Sequence, residues 1–230
     1  MYVRSMLAAF AVSALFVSTA DAHITIASGP AFANKTVKIS IAINHGCDGA
    51  DTVAVTVPIP ATLTSVRTLT SDFGKATVTK TGTTVTAVTW TKAAADELAA
   101  DDGYYELTIR ARVGDVPFTK IQLTVIQTCK AADGTITVVP WDQPPGSTTG
   151  EPAPQLIVVP ARQAGWNKFI LPVGVVAADL PTYFGDALIA WRGTAAYSAN
   201  SNTAAQISTT TGVTMLATDL AAADEIWVRY

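Results

Sequence analysis

Histidine and cysteine are scarce in this chain of 230 residues, which has two of each and only three methionines. With His23 and His45 alone, any Ser-His-Asp or Cys-His catalytic apparatus would have to be built on one of them. Cys47 and Cys129 lie far apart in sequence, which excludes a CxxC redox or zinc motif. No glycine-rich phosphate loop, EF-hand loop or HExxH segment occurs. Charged residues make up only 14% of the chain and the net charge is −3, so nothing points to nucleic acid or an anionic membrane surface as partner. Beyond the first residues there is no apolar run approaching the ~20 residues that a spanning helix needs.

What the start of the chain does contain is a leader pattern. Arg4 precedes the apolar run from Leu7 to Val17, and Ala20 and Ala22 fit a small-x-small cleavage site. The expectation is a signal peptide over 1–22, export to the periplasm or the extracellular space, and no stable membrane insertion after cleavage. In such an oxidising compartment two cysteines ordinarily pair. Cys47 continues the parity of Val37, Ile39, Ile41 and Ile43, and Cys129 that of Ile121, Leu123 and Val125. Both are therefore expected at the ends of core-facing rows, joined as a disulfide.

Apolar residues alternate with Thr, Ser or Lys in segment after segment, the period of strands with one buried face. Val53 to Ile59 and Tyr105 to Val113 repeat the pattern, and Thr81-Gly82 marks a hairpin between 77–80 and 85–90. Ile136 and Val138 read as another buried row. Short strands at this spacing predict a mainly β protein, an antiparallel β-sandwich over 23–161. A Pro-rich stretch over 142–154 leads to a last strand near 156–159. From Gly165 the chain turns aromatic, with Trp166, Phe169, Tyr183, Phe184, Trp191, Tyr197 and Trp227. This reads as a small α+β C-terminal extension over 165–230, its aromatics assigned to a core.

Cleavage after Ala22 would give one residue, His23, both a free α-amine and an imidazole. Terminal nitrogen and Nδ1 together chelate one metal ion, and nitrogen donors in a tetragonal arrangement suit Cu(II). Glu106 falls on the polar face of its strand with Tyr104, Thr108, Arg110 and Arg112, where it either completes a copper plane or pairs with Arg110. Trp141 shares parity with Thr135 and Thr137, so it is expected on the polar face, covering a cation or packing beneath the Pro-rich stretch. His45 has core-side parity, and Asp96, Glu97, Asp101 and Asp102 read as a solvated turn without calcium-loop spacing.

Seven short signatures occur in order: Ala-His-Ile-Thr-Ile at 22–26, His-Gly-Cys-Asp-Gly at 45–49, Val-Pro-Ile-Pro at 57–60, Val-Thr-Trp at 88–90, Asp-Gly-Tyr-Tyr-Glu-Leu at 102–107, Val-Ile-Gln-Thr-Cys at 125–129 and Pro-Ala-Pro at 152–154. Together they resemble the YcnI-like domain family over residues 23–161. The resemblance implies an exported β-sandwich of immunoglobulin/CopC-like architecture associated with copper handling. It implies that His23 chelates Cu(II) as a single-histidine brace, that Glu106 is a further copper ligand and that Trp141 stacks over the metal. A non-enzymatic copper carrier, buffer or metallochaperone is then the leading expectation, exchanging the ion with a membrane copper transporter or another periplasmic carrier. A copper-dependent oxidase resembling the lytic polysaccharide monooxygenases would need a second histidine, and only His45 is available. A metal-free binding module would use the aromatic extension as its surface.

Overall fold

The computed structural model describes residues 23–230, so the leader expected over 1–22 lies outside the described residues. The alternating segments form two sheets that share one core, antiparallel except where the short edge strand Glu151–Pro152 runs parallel to Ile136–Gln143. One sheet has four strands in the order Thr25–Ile26, Thr36–Ile43, Tyr105–Val113 and Leu63–Thr68. The other has six, in the order Glu151–Pro152, Ile136–Gln143, Val125–Lys130, Asp51–Pro58, Thr84–Thr91 and Ala76–Thr81. Ile39, Ile41, Leu107 and Ile109 from the first sheet meet Val55, Val57, Val88 and Trp90 from the second, all fully buried. This is the β-sandwich expected from the period-two pattern, with one face of each sheet supplying the interior. The Cys47–Cys129 disulfide is formed, with the two Cα atoms 5.8 Å apart. It ties the loop after Thr36–Ile43 to the end of Val125–Lys130.

Two readings of strand placement are corrected. Ile121 and Val125 keep a common inward parity, but they belong to different strands. Thr119–Gln122 pairs with Gln155–Val159 in a small third sheet, and the chain crosses to the large sheet only at Val125. The second correction concerns Ile136–Gln143, where Ile136 and Val138 are 54% and 57% exposed while Trp141 is 4% exposed and in the core. Register explains the reversal. Trp141 lies opposite Val125, Val139 opposite Gln127 and Thr137 opposite Cys129. The partner strand's inward row of Val125, Gln127 and Cys129 therefore sets the inward face, since directly opposed residues share a side.

Residues 166–229 form a five-stranded sheet in the order Trp166–Ile170, Glu225–Arg229, Ile189–Arg192, Ala195–Tyr197 and Thr214–Met215, with helices Leu180–Phe184 and Ser201–Thr209. Asn200 caps the longer helix, its side chain accepting from the backbone N–H groups of Asn202 and Thr203. The core of this part is not self-contained. Phe118, from the sandwich, is 2% exposed and lies with its ring 5.6 Å from those of Phe169 and Tyr183 and 5.9 Å from that of Phe184. Val159 joins the same cluster, and Phe32 packs against it. Lys120 and Asp179 form an ion pair at 2.8 Å between the same two parts, and the guanidinium of Arg162 lies over the rings of Phe32 and Tyr230.

Phe118 also has φ of 60°, a left-handed conformation unfavourable for a bulky side chain, which is tolerated where packing holds the ring in place. Replacing Phe118 by Ala should cost about 3 kcal/mol, because it removes the ring on which three aromatics converge. Denaturant unfolding followed by fluorescence checks this, and an unchanged midpoint would show that the extension stands without its plug.

Candidate functional site

The site begins at the chain's first described residue. Thr25 pairs with Ala42, and Ala42 with Glu106, so one row crosses three strands of the smaller sheet. Two residues before Thr25, the backbone carbonyl of His23 accepts a hydrogen bond from Asn44 Nδ2 at 2.5 Å. This fixes the chain against the end of Thr36–Ile43. The His23 ring, part-exposed, meets the indole of Trp141 edge to face, with centroids 6.2 Å apart and planes at 72°. His23 and Trp141, far apart in sequence, are thus brought together where the two sheets meet.

Trp141 is held from behind. Its Nε1 donates to Gln127 Oε1 at 2.9 Å, while Gln127 Nε2 donates to the His45 carbonyl and to Thr52 Oγ1, both at 2.8 Å. Gln127 is 1% exposed, so every polar atom of its amide is satisfied internally. Such a fully bonded buried amide fixes the ring's orientation. Its role was not read in the sequence, although the signal was present: a glutamine at inward parity between Val125 and Cys129 must find buried partners.

Glu106 is exposed on the outer face of the four-stranded sheet. Its carboxylate accepts the Tyr104 hydroxyl at 2.8 Å, so the recorded partner is Tyr104 rather than Arg110. That hydrogen bond, then burial and the carboxylate's charge, push the Tyr104 phenol above its ordinary range. Glu106 is joined to the His23 segment through the sheet row, not through the Trp141 ring contact.

Next along the same strand, Tyr105 points inward to a second network. Lys92 Nζ donates to both oxygens of Asp51, at 2.7 and 2.6 Å, and to the Tyr105 hydroxyl at 2.6 Å. Asp51 also accepts from the Tyr105 hydroxyl at 3.0 Å and from the Leu98 backbone N–H at 2.9 Å. The ammonium lies 4.4 Å from the centroid of the Tyr105 ring. Burial pulls the Lys92 ammonium down, but the bonds and charges of Asp51 and Tyr105 outweigh it and hold it above its usual value. Because Thr52 follows Asp51, this ion pair and the Gln127 amide are anchored on one strand end.

His45 is part-exposed at the core's rim, its Nδ1 engaged by the Gly46 carbonyl and 3.9 Å from Asp101 Oδ2. Glu97 of the acidic turn pairs with Lys130. Among the described residues, no three or more His, Cys, Asp or Glu side chains come together in a group able to hold a metal ion.

These features define a mainly antiparallel β-sandwich with one edge organised around His23, Trp141 and Gln127. The chain matches, over residues 23–158, the family described as a domain of unknown function, DUF1775, and it belongs to that family. A Nocardia farcinica protein whose crystal structure is described as revealing an immunoglobulin-like fold is similar over 60% of this chain and 98% of its own, at 22% identity and a TM-score of 0.48. A cohesin–dockerin complex from Clostridium thermocellum is similar over 60% of this chain and 98% of that one, at 11% identity and a TM-score of 0.37. The major pilin subunit of Bacillus cereus is similar over 64% of this chain and 41% of its own, at 13% identity and a TM-score of 0.36. No curated protein matches the chain.

Proposed function

We propose that this chain is an exported copper(II)-binding protein, a carrier, buffer or metallochaperone and not an enzyme, which uses His23 as the first residue of the processed chain. The observation that carries the reading is the His23–Trp141 ring contact, with the indole fixed by Gln127 beneath it. The match to the DUF1775 family begins at His23, and the seven signatures that resemble the YcnI-like domains lie within or beside that span. Donor chemistry fits the ion. After cleavage, the terminal nitrogen and Nδ1 of His23 would supply two nitrogens from one residue, which suits Cu(II) and needs no cluster of side chains. Glu106, kept in place by Tyr104, is the oxygen donor in this reading, and Trp141 covers the ion.

Export itself rests on the leader pattern and is supported by the disulfide, which persists in oxidising compartments. No helix among the described residues is long and apolar enough to cross a membrane. The partners in this reading are the copper ion and a membrane copper transporter or another periplasmic carrier that delivers or receives it. The oxidase alternative is disfavoured because His45 turns its Nδ1 to Gly46 and Asp101.

The test is a Cu(II) titration of the processed protein, of His23→Ala and of Trp141→Phe. His23→Ala should lose binding, whereas Trp141→Phe should retain copper with an altered spin-resonance spectrum. Equal affinity for the processed protein and His23→Ala would sink the reading, and identical spectra would return Trp141 to a packing role.

A further inference from the structure

The aromatics of the extension divide by parity, and the division corrects the expectation that they all belong to a core. Phe169, Ile226, Val228 and Ala190 face the inner cluster. Trp166, Trp227 and Trp191 stand on the opposite face of the same sheet. Trp166 is 52% exposed and Trp227 43% exposed, and Trp191 is part-exposed. Trp227 lies directly opposite Trp191 on one side and Lys168 on the other, while Trp166 occupies the next row, opposite Arg229. With strands ~4.8 Å apart and ~6.8 Å between successive residues on one face, Trp166 and Trp191 have backbones ~12 Å apart. Large exposed aromatic patches on a folded domain mark binding surfaces.

The platform is braced rather than loose. Trp227 Nε1 donates to Glu225 Oε1 at 2.8 Å, the other oxygen of Glu225 pairs with Lys168 at 2.7 Å, and Lys168 Nζ lies 5.6 Å from the Trp227 ring. Lys168 first, and then the indole N–H, holds the Glu225 carboxyl below its ordinary range, so it stays an ionised acceptor at neutral pH. Trp166, Trp191, Trp227, Glu225 and Gly193 line a shallow depression of about 870 Å³. That volume is in the range of small-ligand sites, and the depression is open along the sheet.

We infer that this tryptophan face is a carbohydrate-binding platform for an extended glycan, separate from the sandwich edge that carries His23. Three properties select that class. Indole faces offer flat apolar contact that matches the C–H faces of pyranose rings. The Lys168–Glu225 pair beside Trp227 offers a donor and an acceptor to ring hydroxyls. The ~12 Å reach across three strands suits an oligosaccharide and not a single sugar. A protein partner fits less well, because the centres of protein interfaces are depleted in Lys and Glu, and here a charged pair interrupts the apolar surface.

The experiment uses the whole processed chain, its Trp166→Ala/Trp227→Ala variant and, as a control on the sandwich, Trp141→Phe. Both replaced tryptophans are exposed, so the double variant should keep the parent's circular dichroism and melting midpoint. Affinity electrophoresis through gels containing β-glucan, xylan, mannan or glycol chitin, with pull-down on insoluble cellulose, chitin and peptidoglycan, gives the readout. Retention by at least one glycan is expected, weakened about tenfold or more in the double variant and unchanged in Trp141→Phe. No retention on any glycan overturns the inference, as does equal retention of parent and double variant. Tryptophan-dependent binding to phosphatidylcholine vesicles, or tryptophan-dependent self-association, in place of glycan binding overturns it as well. Copper binding is unaffected by the double variant in every case, so the two readings fail independently.

Discussion

A protein carrying one extra alanine before His23 is expected to bind Cu(II) at least about 100-fold more weakly than the processed chain, the loss that removal of a mere outer-shell partner of a metal ligand can already reach. The reason is chemical and not steric. In the extended protein the nitrogen of His23 is an amide, a poor donor at neutral pH, whereas cleavage turns it into an amine able to close a chelate ring with Nδ1. The added alanine's own amine is separated from the imidazole by that amide, so it cannot close the same chelate ring with Nδ1. The extended form should therefore behave like His23→Ala, although its side chains are all intact. His45→Ala should keep its copper, provided it folds. Competition titrations of the processed, extended and His45→Ala proteins against a chelator of known affinity measure this. Equal affinity in the processed and extended forms would remove the terminal histidine from the proposal and leave Glu106 and Tyr104 as the place to look.

How far the sequence exposes this arrangement depends on whether a residue's own strand or its neighbour decides its direction. The rows Ile39–Ile41–Ile43 and Leu107–Ile109 declare their faces unaided, because each alternates cleanly and both sheets bury one side. Ile136–Gln143 does not. Its aliphatic residues Ile136 and Val138 sit outside and its tryptophan inside, because the strand inherits its face from Val125, Gln127 and Cys129 opposite. A period-two count cannot see a partner strand. The same limit hid the polar groups that shape the site. Asp51 has the inward parity of Val53 and Val55, Lys92 that of Val88 and Trp90, and Gln127 that of Val125. Each is a polar residue within or at the end of an apolar row, and the signal to read was that misfit: polar side chains at core positions must find one another. In the extension, composition announced aromatics but not their division between faces, which only the pairing of Trp227 with Trp191 and Lys168 reveals.

The ion pair of Lys92 and Asp51 and the amide of Gln127 serve one structural end. Both brace the start of Asp51–Pro58, through Asp51 and through Thr52, and each reaches outward, to Tyr105 beside Glu106 and to Trp141 beside His23. The proposed copper ligand on the smaller sheet and the covering indole on the larger are thereby referred to a common buried strand end. Function at the edge of a sandwich depends on the relative placement of two sheets, and polar networks fix that placement more uniquely than aliphatic contacts. The arrangement also concentrates risk, because the Lys92 and Asp51 side chains are only 4% and 1% exposed.

Replacing Lys92 by Ala should therefore destabilise the protein by about 3–5 kcal/mol, the usual cost of leaving a buried partner charge uncompensated. Asp51 would retain the Tyr105 hydroxyl and the Leu98 N–H but lose the Lys92 ammonium, its counter-charge among the described residues. An Asp51→Asn/Lys92→Met double variant should recover much of the loss, since it removes both charges together. Alkaline titration separates the ionic contribution from packing. The folded protein holds the Lys92 ammonium above its ordinary value, and burial, partly opposed by Lys92, raises the Tyr105 phenol as well. In both cases the unfolded chain gives up its proton first as the pH climbs. The stability these groups contribute is thus complete below about pH 10 and is lost as the pH rises through their folded values. Parent protein should weaken steeply in that window, and the double variant should weaken less. Urea unfolding at pH 8 and pH 11 makes the comparison for all three proteins. A cost below about 1 kcal/mol for Lys92→Ala, the range of exposed ion pairs, would mean that water reaches Asp51, and the strand end could not then serve as the fixed reference for the two sheets.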